Sequence, residues 1–426
     1  MFPAIKRHAI LMIFALAFLL RFWGAFEYKG QFMDEGIHVP SAISYGEFGV
    51  PETGDIIWTH PPLGHLTLYG TIKLFGDNAY GWRMRNIALG TLTVVFMFLV
   101  ARQLFPGTRV PLLASTMLSV DPFHIFFSRS TFTEIPTACF FLMFLFFIIA
   151  YLQTGRDYHI PAGIFLGLTI ATKSYYPLAT ICVISLVASQ RRQRLTPLLH
   201  WAYLAATLLL IPSIVYLLTY LPWLKNGHSL SELIQMRVDA FVVLQSYTID
   251  NFAKAADLLR AGSPWEWFVK PFSGGFSFVN DGVWGRFILE INSPPIRMIT
   301  LPALGMSLWL ARHERRWQLF VIPTIFVSTY ILFLLIKRPM FSYSAVVLLP
   351  YAYLMIAFCL DAVLEKLKDN ARLFKITITM IFMWGIYLFP LVSAREVPIW
   401  LYKPILSSTR FLSLPEYGMA TGKVGQ

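Results

Sequence analysis

The chain has 426 residues, 56% of them hydrophobic and only 14% charged, with a formal net charge of +12 and a mean hydropathy of +0.60. Soluble domains carry about 25% charged residues, so this composition excludes an ordinary soluble protein. The positive balance does not indicate nucleic acid, because Lys and Arg sit in short clusters between apolar runs, as in cytoplasmic membrane loops. Cys139, Cys182 and Cys359 all lie inside apolar segments at unrelated spacings, which argues against a disulfide framework or a zinc site.

The first segment, Met1 to Phe26, has a basic start and an apolar core, and bulky Arg21, Phe22 and Trp23 follow that core where a small-residue cleavage site would stand. It reads as an uncleaved span over His8 to Phe26. A polar stretch over 27–84 follows, rich in Gly, Pro and acids, and forms a first large loop. Spans are expected over Arg85 to Leu104, Val110 to Phe127 and Phe132 to Leu152. The apolar block Ile160 to Ser189 would be about 45 Å long as one helix. A break near Lys173 and Pro177 instead makes two short spans and returns Arg191, Arg192 and Arg194 to the cytoplasm. A seventh span runs from Leu198 to Leu221. The second large loop, 222–295, holds an apolar-periodic piece (Leu230 to Leu244) and the aromatics Trp265, Trp267 and Phe268.

Four last spans start near Ile296, Trp317, Tyr343 and Leu373. The expectation is an all-α polytopic membrane protein of about 11 transmembrane helices, one multi-span domain over 1–394 with a short external tail over 395–426. An N-terminus inside puts Arg156, Arg191 to Arg194, Arg312 to Arg316 and Lys366 to Lys375 in the cytoplasm, and both large loops outside. No internal repeat is visible, which weighs against a transporter built of duplicated halves.

Two features carry chemistry. Asp34–Glu35 follows the first span. Adjacent carboxylates in a loop are commonly a solvated pair, but this loop lies against the bilayer surface, where a carboxylate can meet a lipid-linked substrate. Inverting sugar transfer to a hydroxyl needs one carboxylate to take the acceptor proton as the sugar leaves its phosphate. The second feature is Thr59-His60-Pro61-Pro62-Leu63-Gly64, in which the prolines alone would mark only a turn.

With these motifs the sequence resembles the protein O-mannosyltransferase family of the C-superfamily membrane glycosyltransferases. The resemblance rests on Asp34–Glu35, on HPPLG over His60 to Gly64, and on Met84–Arg85 with the Gly-Thr-Leu-Thr run beyond. It continues in Asp121 to Arg129, Gly167 to Lys173, Ser263 to Trp267 with Pro271, Asn292-Ser-Pro294, and Arg338 to Tyr343 ahead of Pro350. It covers about Leu11 to Leu360. The chain departs from the family where His65 replaces the usual Lys after HPPLG, where Glu134 replaces Asp, and where the large β-trefoil insert of long eukaryotic members is absent from the second loop.

The resemblance implies Asp34 as general base and Glu35 as a neighbour orienting acceptor or donor. It implies Arg85 as a donor-phosphate contact, since a planar guanidinium fork suits phosphate; the plain reading of Arg85 is a snorkelling arginine. Lys173, an ionisable group inside an apolar block, is a second phosphate candidate. His60 either orders the loop or touches the donor. Arg129, Arg338 and Tyr343 complete the substrate-binding candidates, although Asp121 and Arg129 would also satisfy each other and Arg338 stands beside Lys337 at a helix end. Trp265, Trp267 and Trp284 read as interfacial anchors. No metal constellation and no cofactor is expected, because a lipid phosphate is a good leaving group. The partners implied are a polyprenyl-phosphate sugar, an extracytoplasmic acceptor (protein or glycan) and the bilayer.

The function implied is inverting transfer of a sugar, mannose by family habit, from a polyprenyl or dolichyl phosphate to an acceptor such as protein Ser/Thr. Transfer to lipid A or a glycan end is the alternative within the class. A flippase of lipid-linked sugars is the alternative outside it, and the gathering of charge beside two long loops disfavours it. The topology is testable by cysteine labelling: positions near Gln31 and Gly275 react with an impermeant reagent from outside, and those near Gln193 and Arg315 only from inside. Labelling of Gln193 from outside would overturn the break in the 160–189 block.

Overall fold

The computed structural model describes all residues except 1–6, 52–55, 155, 192–201, 203–204, 247–260, 263, 269–271, 281–282, 315–316, 337–339 and 409–426. The described chain is mostly helical. Helix α1 (Arg7–Phe22) leads to two helices inside the first loop, α2 (Glu35–Phe48) and α3 (Leu63–Phe75). Then come α4 (Ala79–Leu104), the pair α5 (Val110–Val120) and α6 (Pro122–Ser128), α7 (Glu134–Thr154), α8 (His159–Thr172) and α9 (Pro177–Arg191). A π-helical turn, Ala206–Leu210, runs into α10 (Ile211–Leu218), followed by α11 (Leu221–Lys225) and α12 (Leu230–Ser246). The second half contains α13 (Pro294–Met298), α14 (Thr300–Glu314), α15 (Trp317–Leu335), α16 (Leu349–Glu365, entered by the 3-10 segment Ser342–Leu348), α17 (Asn370–Val392) and α18 (Ile399–Ser408).

Among the described residues, α4, α7, the 342–365 stretch and α17 are each long and apolar enough to cross a membrane, and the bent pair α5–α6 is a fifth candidate. His8–Phe22, His159–Thr172, Ala206–Leu218 and Leu319–Leu335 are shorter apolar helices. Helix α7 is apolar on every side, and 83% of its most apolar window is buried, against 28% for α17. A helix hydrophobic all round belongs in the centre of a bundle, so α7 is the hub and α17 lies at the periphery. The main core gathers around it from α4, α5, α6, α15 and α16.

Two breaks have local causes. Val110 to Phe127 was expected as one span, but the axis bends by 61° at Asp121. Asp121 is extended (φ −66°, ψ 118°), as the residue before a proline prefers. Pro122 opens α6, and the Asp121 carboxylate accepts from the His124 amide at 2.7 Å as its N-cap. The other carboxylate oxygen accepts from the Tyr353 hydroxyl at 2.5 Å, so Asp121 satisfies itself through α16 and not through Arg129. The apolar block 160–189 is interrupted at residues 173–176, close to where the sequence placed the break. Lys173 is extended there (φ −164°, ψ 138°) and Pro177 opens the next helix.

The second loop is not helical throughout. Strands β2 (Phe272–Asn280) and β3 (Trp284–Ile291) form an antiparallel hairpin, and β5 (Glu396–Pro398), from the expected tail, pairs antiparallel with β3. A two-residue ladder joins β1 (Ala261–Gly262) to β4 (Met340–Phe341), which places the second loop against the segment leading to Tyr343. Gly385 of α17 lets that helix close on α5: a Cβ there would meet Val120 Cβ at 2.4 Å and the Val120 carbonyl at 2.7 Å. The Gly385→Ala variant is expected to lose about 1–3 kcal/mol through overpacking, measured as denaturant unfolding of the purified protein in lipid; a loss below a few tenths would mean that α17 is not seated against α5.

Candidate active site at the head of the first loop

The chain leaves α1 and passes beneath Arg83, near the start of α4. All five N–H donors of this guanidinium are used. Nε and Nη2 hold the two Glu35 oxygens at 3.0 and 2.8 Å, and Nη1 and Nη2 hold the carbonyls of Ala25, Tyr28 and Gly30 at 2.7–2.8 Å. Glu35 is 0% and Arg83 1% exposed. Glu35 also accepts from the Phe32 amide at 3.2 Å. Burial raises its carboxyl above the ordinary range, against the pull of the Arg83 hydrogen bonds. Met33, inside this clamp, has φ +54°, a left-handed conformation that non-glycine residues rarely adopt and that persists only where the surroundings enforce it. Asp34 follows as the N-cap residue of α2. It is half-buried, and its carboxylate does not cap the helix.

The HPPLG motif forms the entry to α3, with Pro62 at its N-cap position. Gly64 is required by close approach: a Cβ there would meet Thr133 Cγ2 at 2.7 Å. Its carbonyl accepts from Arg85, whose other nitrogens donate to Asn86 Oδ1 at 2.8 Å and to the Thr131 carbonyl at 2.5 Å. Asn86 adds bonds to the Phe127 and Phe132 carbonyls. Arg85 was expected to open toward a donor phosphate from the external end of its helix. Helix α4 begins six residues earlier, at Ala79, and Arg85 is buried, engaged with backbone carbonyls of both the HPPLG turn and the 131–132 break. Glu35 likewise is engaged with Arg83.

Lys173 and Glu134 meet at 2.6 Å, both buried. The Tyr175 hydroxyl donates to the same Glu134 oxygen at 2.9 Å, while Glu134 Oε2 makes no hydrogen bond among the described residues. The Lys173 ammonium lies over the rings of Tyr175 (4.9 Å) and Tyr343 (5.3 Å). Tyr343 stacks on Phe341 and is within electrostatic range of Asp34, Glu134 and Lys173. The break after α8, the start of α7 and the approach to α16 thus converge beside Asp34. His38, one turn beyond Asp34, has its Nδ1 2.9 Å from His65 Nε2, and His65 stacks against Tyr45. Burial above all, then the Lys173 and Arg85 cations, push His38 down to about 3; burial and its neighbours hold His65 well below its ordinary value.

Of the expected site residues, Asp34, Lys173 and Tyr343 are brought together, with Arg85 one layer beneath. His60 is half-buried at the turn into α3. Arg129 lies elsewhere, against the Gly24 turn and over the Phe389 ring of α17. Arg338 is outside the described residues. The sequence reading passed over Arg83, His38 and Tyr175. Arg83 had a signal, being a second arginine at the head of an apolar helix, and so had His38, four residues after Asp34 on a helical face. Among the described residues no group of three His, Cys, Asp or Glu is placed to hold a metal ion.

Comparison with known proteins bears on this arrangement. Residues 59–218, from the HPPLG turn through α10, match the family described as dolichyl-phosphate-mannose-protein mannosyltransferase. The polyprenol-phosphate-mannose–protein mannosyltransferase of Mycolicibacterium smegmatis is 26% identical, over 73% of this chain and 72% of that protein. Both findings are a likeness to protein O-mannosyltransferases. The Corynebacterium glutamicum protein of the same description is 23% identical over 82% of this chain and 81% of its own. Among solved structures, the S. cerevisiae protein O-mannosyltransferase Pmt1–Pmt2 complex bound to the sugar donor matches with a TM-score of 0.72 at 11% identity, covering 92% of this chain and 91% of that one. ArnT from Cupriavidus metallidurans bound to undecaprenyl phosphate matches at 0.56 and 15% identity, over 97% of this chain and 76% of that one. The fold is shared with these solved structures, and the apolar helices make the chain a multi-pass membrane protein.

The neutral His38–His65 pair gives a pH signature. An imidazole held near 3 in the fold takes up its proton in the unfolded chain from about 6.5 downward, so the unfolded state binds more protons across that window and stability falls as pH falls. The His38→Gln variant is expected to lose less stability than the wild type between pH 6.5 and 4, measured by denaturant midpoints in lipid; parallel curves would mean that His38 is not buried neutral.

Proposed function

We propose that this enzyme is an inverting mannosyltransferase that moves mannose from a polyprenyl phosphate to an extracytoplasmic hydroxyl acceptor, a protein Ser or Thr foremost. The relatives named as polyprenol-phosphate-mannose–protein mannosyltransferases support the donor class. The observation that carries the mechanism is Asp34, held on a left-handed turn beside the Lys173–Tyr343 group. In this reading the acceptor hydroxyl gives its proton to the Asp34 carboxylate as its oxygen attacks the anomeric carbon from the face opposite the phosphate. The bond from that carbon to the phosphate oxygen breaks, and polyprenyl phosphate leaves with the electron pair. Lys173 supplies a cation for the departing phosphate, and Glu134 holds that cation in place. Glu35 and Arg85 act beneath the site by fixing the backbone.

The orientation follows from the positive clusters, with the N-terminus and the Arg-rich connections in the cytoplasm and both large loops outside. An eleven-span reading takes as crossings the long spans, the bent α5–α6 pair, the shorter apolar helices, and α9 and α14.

Replacing Asp34 by Asn keeps size and polarity and removes the proton acceptor. Donor binding is expected to persist while turnover falls about 10²–10⁴-fold, measured with radiolabelled polyprenyl-phosphate mannose and acceptor peptide in the presence of a chelator. Near wild-type turnover in the folded variant would remove Asp34 from the mechanism, and a strict need for divalent ions, or transfer from a nucleotide sugar without lipid carrier, would end the donor assignment.

A further inference from the structure

Helix α12 of the second loop divides around its axis into three sectors at about 100° per residue. One sector, with Leu233, Met236, Ala240 and Val243, is buried or half-buried against the protein. The next, with Glu232, Gln235, Asp239 and Ser246, is polar and exposed. The third holds Leu230, Ile234, Val238, Phe241 and Val242, every one of them more than half exposed, with polar residues, Ser231 and Gln245, only at the two ends of the helix. A helix buried on one side and solvated on the other has no reason to carry five large apolar residues in the remaining sector unless a third medium meets it there. Exposed apolar residues also precede it in the chain, Ile214, Leu217 and Leu218 of α10 and Leu221 and Leu224 of α11, on the segment by which a multi-pass protein leaves hydrocarbon.

We propose that α12 is a membrane-surface helix, with its apolar stripe among the acyl chains and its acidic sector in the head-group layer. It lies on the same side of the membrane as the first loop, because Arg237 donates to the carbonyls of Trp58 and Thr59, the two residues ahead of His60. The lipid surface thereby sets the height of the HPPLG turn.

Spin labelling of the full chain in nanodiscs of phosphatidylethanolamine and phosphatidylglycerol tests this, using one introduced cysteine at a time in a Cys139→Ser, Cys182→Ser, Cys359→Ser background. Labels at I234C, V238C and F241C are expected to collide several-fold more with oxygen than with a water-soluble nickel chelate, and labels at Q235C and D239C the reverse. A label at W58C should gain nickel access when V238D and F241D are added to draw the helix out of lipid. Nickel-dominated collisions along the stripe would overturn the lipid seat, and dipolar broadening at V238C would replace it with a second copy of this chain. An unmoved W58C label would overturn the coupling to the first loop. None of these readings depends on catalysis, so they fail or stand apart from the mannosyltransferase assignment.

Discussion

A buried Arg83–Glu35 pair holds the head of the first loop in one conformation. Taking two charges out of water costs several kcal/mol per ion, and five hydrogen bonds from one guanidinium offset that cost by gathering three carbonyls and a carboxylate at once. Without the clamp, the left-handed Met33 would have nothing to hold it, and the Asp34 carboxylate would sample the loop. The loop is thereby tied to α4, the helix that also carries Arg85. Arg85 and Asn86 extend the same device one turn deeper, joining the HPPLG turn to the break before α7. Two arginines two residues apart thus organise three separate stretches of backbone.

On the proposed mechanism, that arrangement divides the labour between residues that touch substrate and residues that hold them. Glu134 keeps Lys173 extended into the space beside Tyr343, and the ring faces add a cation–π contact to the ion pair. The neutral histidine pair behind them adds no competing charge. On that mechanism, a cation with a single carboxylate partner retains donors for an anionic leaving group, whereas Arg85, with its donors on carbonyls, acts as a frame.

Much of this was legible in the sequence. The apolar runs named the class, and the break at Lys173 followed from length and Pro177. The Asp34–Glu35 pair with HPPLG pointed to the family. Less legible was which of two adjacent carboxylates is used structurally, because Asp34 and Glu35 differ only in which way a strained turn faces them. Arg85 was read as sitting at a helix end because hydropathy rises only after it, yet α4 starts at Ala79, capped by the Asn78 side chain. Helices α2 and α3 are short and carry Gly and His, with Pro40 inside α2, so no periodicity announced them. Strand β2 carries Gly274 and Gly275 in mid-strand and β5 is three residues long, so the sheet comes from tertiary pairing and not from local propensity.

The pairing of β5 with β3 also orders the making of the molecule. Strand β3 presents an unsatisfied edge until the ribosome has passed Pro398, after α17 has been made. Completion of this sheet therefore comes after α17, and it depends on that helix delivering β5 to the side where the hairpin lies: a chain in which α17 is inverted would leave the β3 edge open to proteolysis.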